Sequence, residues 1–409
     1  MILPEKAPSL RKDQTTVSET RAATHGIKAP SSMLGWMELF SDLVFVATTL
    51  IFSSAMGHTP VGAGKYWIYM AFAMVWWIWM SSTMFFNRFR LGDVPLRIIL
   101  LIQMFLLVLF AMEAKAGIDH DITVMTFEFG GLLATVALMY LFGSLKERGS
   151  ERRFARQMAG VNVLGALLFI VAAPFPDAAR YPIGALGLLI VIIPTILPNV
   201  LSSHAPLFEE AHLVERLGAF SLIMMGETFV EIALAISGKH ITIRDSLTLA
   251  LEFLLAFSLW GAYFEDIPHA GLQQSRVKFW VPFHLILQLS IVTVGVGVST
   301  FVNLPLGEHL PDADAVEIIS MMATFYLALG GLAWCSRRRP LKKLLLFRLG
   351  TAVVMLGVTV LAWTDPAFHV DDIIIIVIVL AIAELIAAPF ILKTTTVSQA
   401  PQQESVSVS

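Results

Sequence analysis

The chain has 409 residues, of which 56% are hydrophobic and 14% charged, with a formal net charge of -3. Water-soluble domains carry about a quarter charged residues, so a chain with this composition and a mean hydropathy of +0.75 lacks the polar surface to face water on every side. Its apolar residues come in blocks of about twenty, the length a helix needs to cross ~30 Å of hydrocarbon, and not in the ~10-residue alternating segments of an outer-membrane barrel.

Residues 1–35 are polar and mixed in charge, with Pro4, Pro8, Gly26 and Pro30. They lack the apolar core of a signal peptide and read as a flexible cytoplasmic tail. Membrane spans follow at 36–57, 66–86, 95–114, 125–146, 157–174 and 181–203. After a connecting loop at 204–213 come 214–237, 246–264, 278–303, 315–335, 343–364 and 372–392. Residues 393–409, KTTTVSQAPQQESVSVS, have the composition of a disordered tail. In lipid every backbone N–H and C=O must pair within the protein, so the spans are helices. The fold class is therefore all-α, a polytopic membrane bundle of about twelve transmembrane helices. Pro174, Pro176, Pro182, Pro194 and Pro198 crowd the fifth and sixth spans and predict kinks there.

Twelve spans alternate the loops between two sides. One side holds the tails and the loops bearing Arg88/Arg90, Lys146 to Arg156, Arg276/Lys278 and Arg337 to Lys343. Only five of the 28 basic residues (Lys65, Lys115, Arg180, Lys239 and Arg244) lie on the other. The positive-inside bias then places both termini in the cytoplasm, and the basic loops are a matter of topology rather than of nucleic-acid binding. Six spans on each side of 204–213 suggest duplication, 36–203 and 214–392, with both halves in the same orientation.

Charged groups inside the spans need a reason, because each costs at least ~2.5 kcal/mol at the bilayer centre. Glu38 and Asp42 lie a turn apart on one helix face, in WMELFSDLVFV. They suit a cation or proton site, while Glu38 alone also suits the helix start, where the dipole favours an acid. In HLVERLGAFSLIMMGETFVEIA, Glu215 and Arg216 stand at the beginning of the seventh span, Glu227 near its middle and Glu231 a turn further. Glu227 reads either as a site carboxylate or as a hydrogen-bonded packing group; Arg216 suits a lock on Glu38 or Asp42. Arg97 either snorkels to the surface or pairs inward with Asp42. His284, in FWVPFHLILQLS, suits a proton relay or a structural histidine. Glu384 has no obvious partner in the sequence, and Trp67, Trp76, Trp77 and Trp79 read as belt and core packing.

The single cysteine, Cys335, excludes a disulfide framework and a cysteine-based metal site. No Walker A, G-x-G-x-x-G, H-E-x-x-H or G-x-S-x-G pattern occurs, so the expectation is a protein that is not an enzyme and uses no cofactor or metal.

Several of these segments resemble one family. WMELFSDLVFV is similar to the W-L-E-L-F-F-D-L-V-F-V opening of the bacterial low temperature requirement A family. VWWIWMSSTMFFNRF, the basic residue of DVPLRIILL, HLVERLGAFSLIMMGETFV, LWGAYFED and the histidine of FWVPFHLIL also fit that family. Departures are Ser41 for an aromatic, Leu217 for Phe and Thr228 for Ser; Ser41 makes the site around Asp42 more polar. The resemblance implies a multi-pass inner-membrane protein of a bacterium. It singles out Glu38, Asp42, Arg97, Glu215, Arg216, Glu227 and His284 as the positions matching the family pattern.

The leading expectation is a transporter or channel for a small solute or ion, with its site at Asp42, Arg97 and Glu227 between the halves. The alternative is a membrane-structural or lipid-interacting protein whose polar residues only lock helices together. An integral-membrane enzyme is disfavoured by the dispersed spacing of the charged groups. The expected partners are the lipid bilayer and an unidentified small solute or ion.

Overall fold

The computed structural model describes residues 33–89, 91–117, 121–197, 209–238, 241–264, 271–303, 312–337, 341–364, 378–388 and 390–391. They form α1 Met33–His58, α2 Ala63–Phe89, α3 Val94–Ala116, α4 Thr123–Lys146, α5 Gly149–Ala172 and α6 Asp177–Ile196. Then come α7 Glu210–Ile236, α8 Ile243–Phe264, α9 Val277–Asn303, α10 Asp312–Cys335 and α11 Leu341–Thr364. A twelfth helical segment, α12, covers Ile378–Ala388. The all-α bundle is as expected. Among the described residues, nine helices, α1 to α6 and α9 to α11, are long and apolar enough to cross a membrane. α7 is long enough but carries Glu210, Glu215, Arg216, Glu227 and Glu231.

Several boundaries differ from expectation by three residues or more, and three of them concern the basic and connecting loops. α5 begins at Gly149, so most of the basic stretch expected as loop is helix. Its first turns bury Phe154, Ala155 and Met158 while Arg152, Arg153 and Arg156 stay exposed, an amphipathic start that hydropathy alone reads as loop. α6 begins at Asp177, with Pro176 immediately before it. α7 begins at Glu210, which takes the end of the expected 204–213 loop into the helix. The tails at 1–32 and 393–409, and residues 204–208, lie outside the described residues.

α2 is the buried helix of the bundle, packed against α1, α3, α4, α7 and α9. Its tryptophans Trp67, Trp76, Trp77 and Trp79 are all buried, so they belong to the core and not to an interfacial belt. α3 faces outward on one side, where Val94, Ile98, Leu101, Ile102, Phe105 and Met112 form an exposed apolar stripe suited to lipid. Close helix approach uses small residues: a Cβ on Gly130 of α4 would lie 3.2 Å from the Ala166 carbonyl of α5.

Packing in the first half recurs in the second. α1 packs on α2 and α3, α2 on α3, α3 on α4 and α4 on α5; six helices later α7 packs on α8 and α9, α8 on α9, α9 on α10 and α10 on α11. The equivalent helices α3 and α9 carry similar segments, VPLRIIL at 94–100 and VPFHLIL at 281–287. α1 also contacts α7, and that contact organises the charged residues.

Candidate functional site

α1 and α7 run parallel in constant register. Glu38 meets His212, Asp42 meets Arg216 and Ser53 meets Glu227, each pair 174 positions apart in the chain. Two helices with one rise per residue keep a fixed offset only when they lie side by side in the same direction. Along about 22 Å of helix they thus present a polar seam within an apolar bundle.

The end of the seam nearest the N-termini of these helices is closed. Arg216 grips Asp42 with both terminal nitrogens, Nη2 to Oδ1 and Nη1 to Oδ2, each at 2.7 Å. This fork-on-fork geometry is the strong form of the arginine–carboxylate pair. Trp79 Nε1 donates to the same Asp42 Oδ1 at 2.8 Å, and its ring stacks on Phe220 with centroids 4.1 Å apart. Glu38 lies 3.9 Å from Arg216 Nη1 and 3.3 Å from His212 Nε2. Glu38, Asp42 and Arg216 are all buried.

A neutral layer follows. Gln288 of α9 accepts from Trp76 Nε1 at 2.5 Å and donates to Ser221 Oγ at 2.9 Å. Above it lies a second acidic group, Glu227 and Glu231 of α7. Both carboxyls sit against one hydroxyl, Ser53 Oγ, at 2.6 and 2.7 Å. Glu227 is 3% exposed, and its Oε2 has no hydrogen-bond partner among the described residues. α9 comes very close here: a Cβ on Gly295 would lie 2.5 Å from Thr228 Oγ1.

A cavity of about 330 Å³ opens beside this end, lined among others by Gly57, His58, Lys65, Val296, Asp314 and Glu317. Lys65 of α2 and Glu317 of α10, both buried, form an ion pair of 2.5 Å in its wall, and Tyr69 donates to Glu317 at 2.6 Å.

The structure therefore brings Glu38, Asp42, Arg216 and Glu227 onto one seam and leaves three expected residues off it. Arg97 is exposed and donates to the Gly92 carbonyl at 3.1 Å; Asp42 is taken by Arg216 instead, so the expected Asp42–Arg97–Glu227 grouping is not formed. Arg97 lies on the first turn of α3, where a long basic side chain reaches out of the bundle more cheaply than it enters. Glu215 is exposed on α7, turned away from the seam that its neighbour Arg216 enters. His284 is fully buried in α9 between Tyr263 Oη at 3.0 Å and the Trp280 carbonyl at 2.9 Å, and these partners lie on α8 and α9, not on the seam.

Other charged residues gain partners that the sequence did not indicate. Glu384 pairs with Arg348 of α11 at 2.8 Å, and Arg348 also donates to the Ala262 carbonyl at 2.7 Å. Arg348 resembles one more member of a basic flank, KKLLLFR, and Lys65 resembles a loop residue; their partner carboxylates stand 36 and 252 positions away in the chain, which the sequence does not signal. Outside the spans, Asp121 accepts from the Thr123 hydroxyl and N–H, which holds its carboxyl below the ordinary range, with Arg180 adding to the effect. Among the described residues, no cluster of three His, Cys, Asp or Glu side chains could hold a metal.

A family model described as bacterial low temperature requirement A protein matches residues 34–392. An uncharacterized protein of Rhizobium meliloti (strain 1021) is 23% identical over 242 residues, covering 56% of this chain and 58% of that protein. The chain thus aligns with little more than half the length of that relative. No solved structure matches.

Proposed function

The chain belongs to the bacterial low temperature requirement A family, and from that premise we propose that it is a transporter or channel for a small solute or ion, with its path along the α1–α7 seam. The observation that carries this reading is Glu227: a buried carboxylate with one oxygen unbonded among the described residues, beside a second carboxylate and next to a cavity. Buried polar groups are normally fully hydrogen-bonded, and a carboxylate kept only for packing has every reason to be. We read the protein as a bacterial inner-membrane protein with both termini cytoplasmic, not an enzyme, and built from two parallel six-helix halves. The recurring packing order and the VPLRIIL and VPFHLIL segments support the last point. On this orientation the cavity opens to the outer side.

Flux across proteoliposomes tests the reading. Glu227→Gln is expected to remove most of the flux while the protein stays folded. Unchanged flux in both Glu227→Gln and Asp42→Asn sinks the assignment of the path to this seam.

A second reading, a membrane-structural or lipid-interacting role, is favoured by the Asp42–Arg216–Trp79 group, which is buried and closed like a packing lock. On that reading the same two variants lower thermal stability in detergent, and no solute is carried by the wild type.

A further inference from the structure

We propose that Ser53, Glu227 and Glu231 together hold one exchangeable proton, shared by the two carboxyls through the serine hydroxyl. The argument is a count of hydrogens. A serine hydroxyl has one hydrogen to donate, and an ionised carboxylate has none. Ser53 Oγ is nevertheless within 2.6 Å of Glu227 Oε1, 2.7 Å of Glu231 Oε1 and 3.1 Å of the Leu50 carbonyl. With both carboxyls ionised, one hydrogen serves at most one of the two short contacts well. The other then sets bare lone pairs against each other, beside two negative charges inside the bundle. A proton on one carboxyl supplies the missing hydrogen: that carboxyl donates to Ser53 Oγ, which donates onward to the other carboxylate. Both distances fall in or at the edge of the ~2.5–2.7 Å range of O–H···O⁻ bonds.

A metal ion does not fit the same place. Cation–oxygen distances of ~2.0–2.6 Å push neighbouring ligand oxygens further apart than these are. Among the described residues, neither Glu227 nor Glu231 forms an ion pair. Lys115 of α3 donates to Ser54 Oγ at 3.2 Å, and Lys65 and Tyr69 of α2 are committed to Glu317 of α10. His58 at the end of α1 is exposed, its Nδ1 against the Ser54 carbonyl at 2.7 Å, and Asp314 of α10 stands in the cavity wall. α9 contributes Gly295 against Thr228, and α8 contributes Phe253 against Phe229, none of them charged.

The site also has a way in. Gly57, one turn past Ser53 on α1, lines the cavity, and the constant register of the seam sets the half-buried Glu231 at the level of Gly57. Val296, next to the Gly295 that touches Thr228, lines the same cavity. The trio thus lies about one helical turn, ~5.4 Å, from a space that water can enter. Glu227 Oε2, unbonded, offers a second seat for the arriving proton. That the proton is moved across the membrane, and not merely held, rests on the transport reading above.

Infrared difference spectroscopy of the full-length protein in lipid nanodiscs, titrated with alkali, reads the proton directly. The wild type is expected to show the carbonyl stretch of a protonated carboxyl that disappears as pH rises, and to lose that band in both Glu227→Gln and Glu231→Gln. Because Glu231 is only half-buried, its variant keeps the test usable if Glu227→Gln fails to fold. A band that persists unchanged in the folded variants belongs to another carboxyl and overturns the proposal, as does a wild-type spectrum without it. Proteoliposomes with an internal pH dye separate the two levels. Proton entry lost in Glu231→Gln supports both. An infrared band behaving as expected without any proton or solute flux supports the proton site and overturns the transport reading.

Discussion

The segments ELFSD at 38–42 of α1 and ETFVE at 227–231 of α7 have the same pattern: a glutamate, a phenylalanine two positions on, and a second acid a turn later. The bundle treats them differently. The pair on α1 faces Arg216 and His212, and its deeper acid is gripped by two guanidinium nitrogens and an indole N–H. The pair on α7 faces a serine, and among the described residues one of its oxygens has no bond. The same acidic pattern becomes a lock or an open site according to what the opposite helix presents. A buried acid paired and hydrogen-bonded is stable where it stands; one left incomplete stays only if the rest of the fold carries its cost.

The sharpest way to break this contrast is to unlock the closed end. Arg216→Met leaves Asp42 buried without its counter-charge and should destabilise the protein by about 3–5 kcal/mol. The double variant Asp42→Leu with Arg216→Met should recover most of that, and unfolding in mild detergent measures both. Recovery in the double variant marks the pair as a lock; loss of flux there, with stability regained, assigns it a part in transport as well.

Trp79→Phe removes one donor from Asp42 while keeping an aromatic ring on Phe220. A hydrogen bond to a charged group contributes about 1.5–3 kcal/mol, so a loss in that range is expected in the same unfolding measurement. At the open end, Gly295→Ala drives a methyl into Thr228. Overpacking of this kind costs about 1–3 kcal/mol, and adding Thr228→Ala should relieve it, since the hydroxyl and methyl that clash are then gone. If Gly295→Ala is silent, α9 does not press on the open end as closely as the geometry implies. The smallest effect is expected for Glu215→Gln, exposed and off the seam, with a change within about 0.5 kcal/mol and unaltered flux. A large effect there would move the site boundary to include the outward face of α7.

The amino-acid sequence by itself determined the class of this protein. Blocks of about twenty apolar residues admit only helices in lipid, and that argument needs no partner residue. It also located the costly charges, because Glu38, Asp42, Arg216 and Glu227 stand out against any apolar run, and the pairing of Arg216 with Asp42 was among the alternatives it offered. Tertiary structure decided what each charge does. Arg97 and Arg216 look alike in sequence, yet only Arg216 turns inward, because its helix face meets α1 and that of Arg97 meets the surface. Lys65 counts among the loop charges in the sequence, and Arg348 does not stand out there at all; only the packing of α2 on its neighbours and of α11 on α8 and α12 sets them opposite Glu317 and Glu384. The hydrogen shortage at Ser53 was beyond reach of sequence. It arises from two helices whose residues lie 174 positions apart, and only their constant register brings three oxygens around one proton.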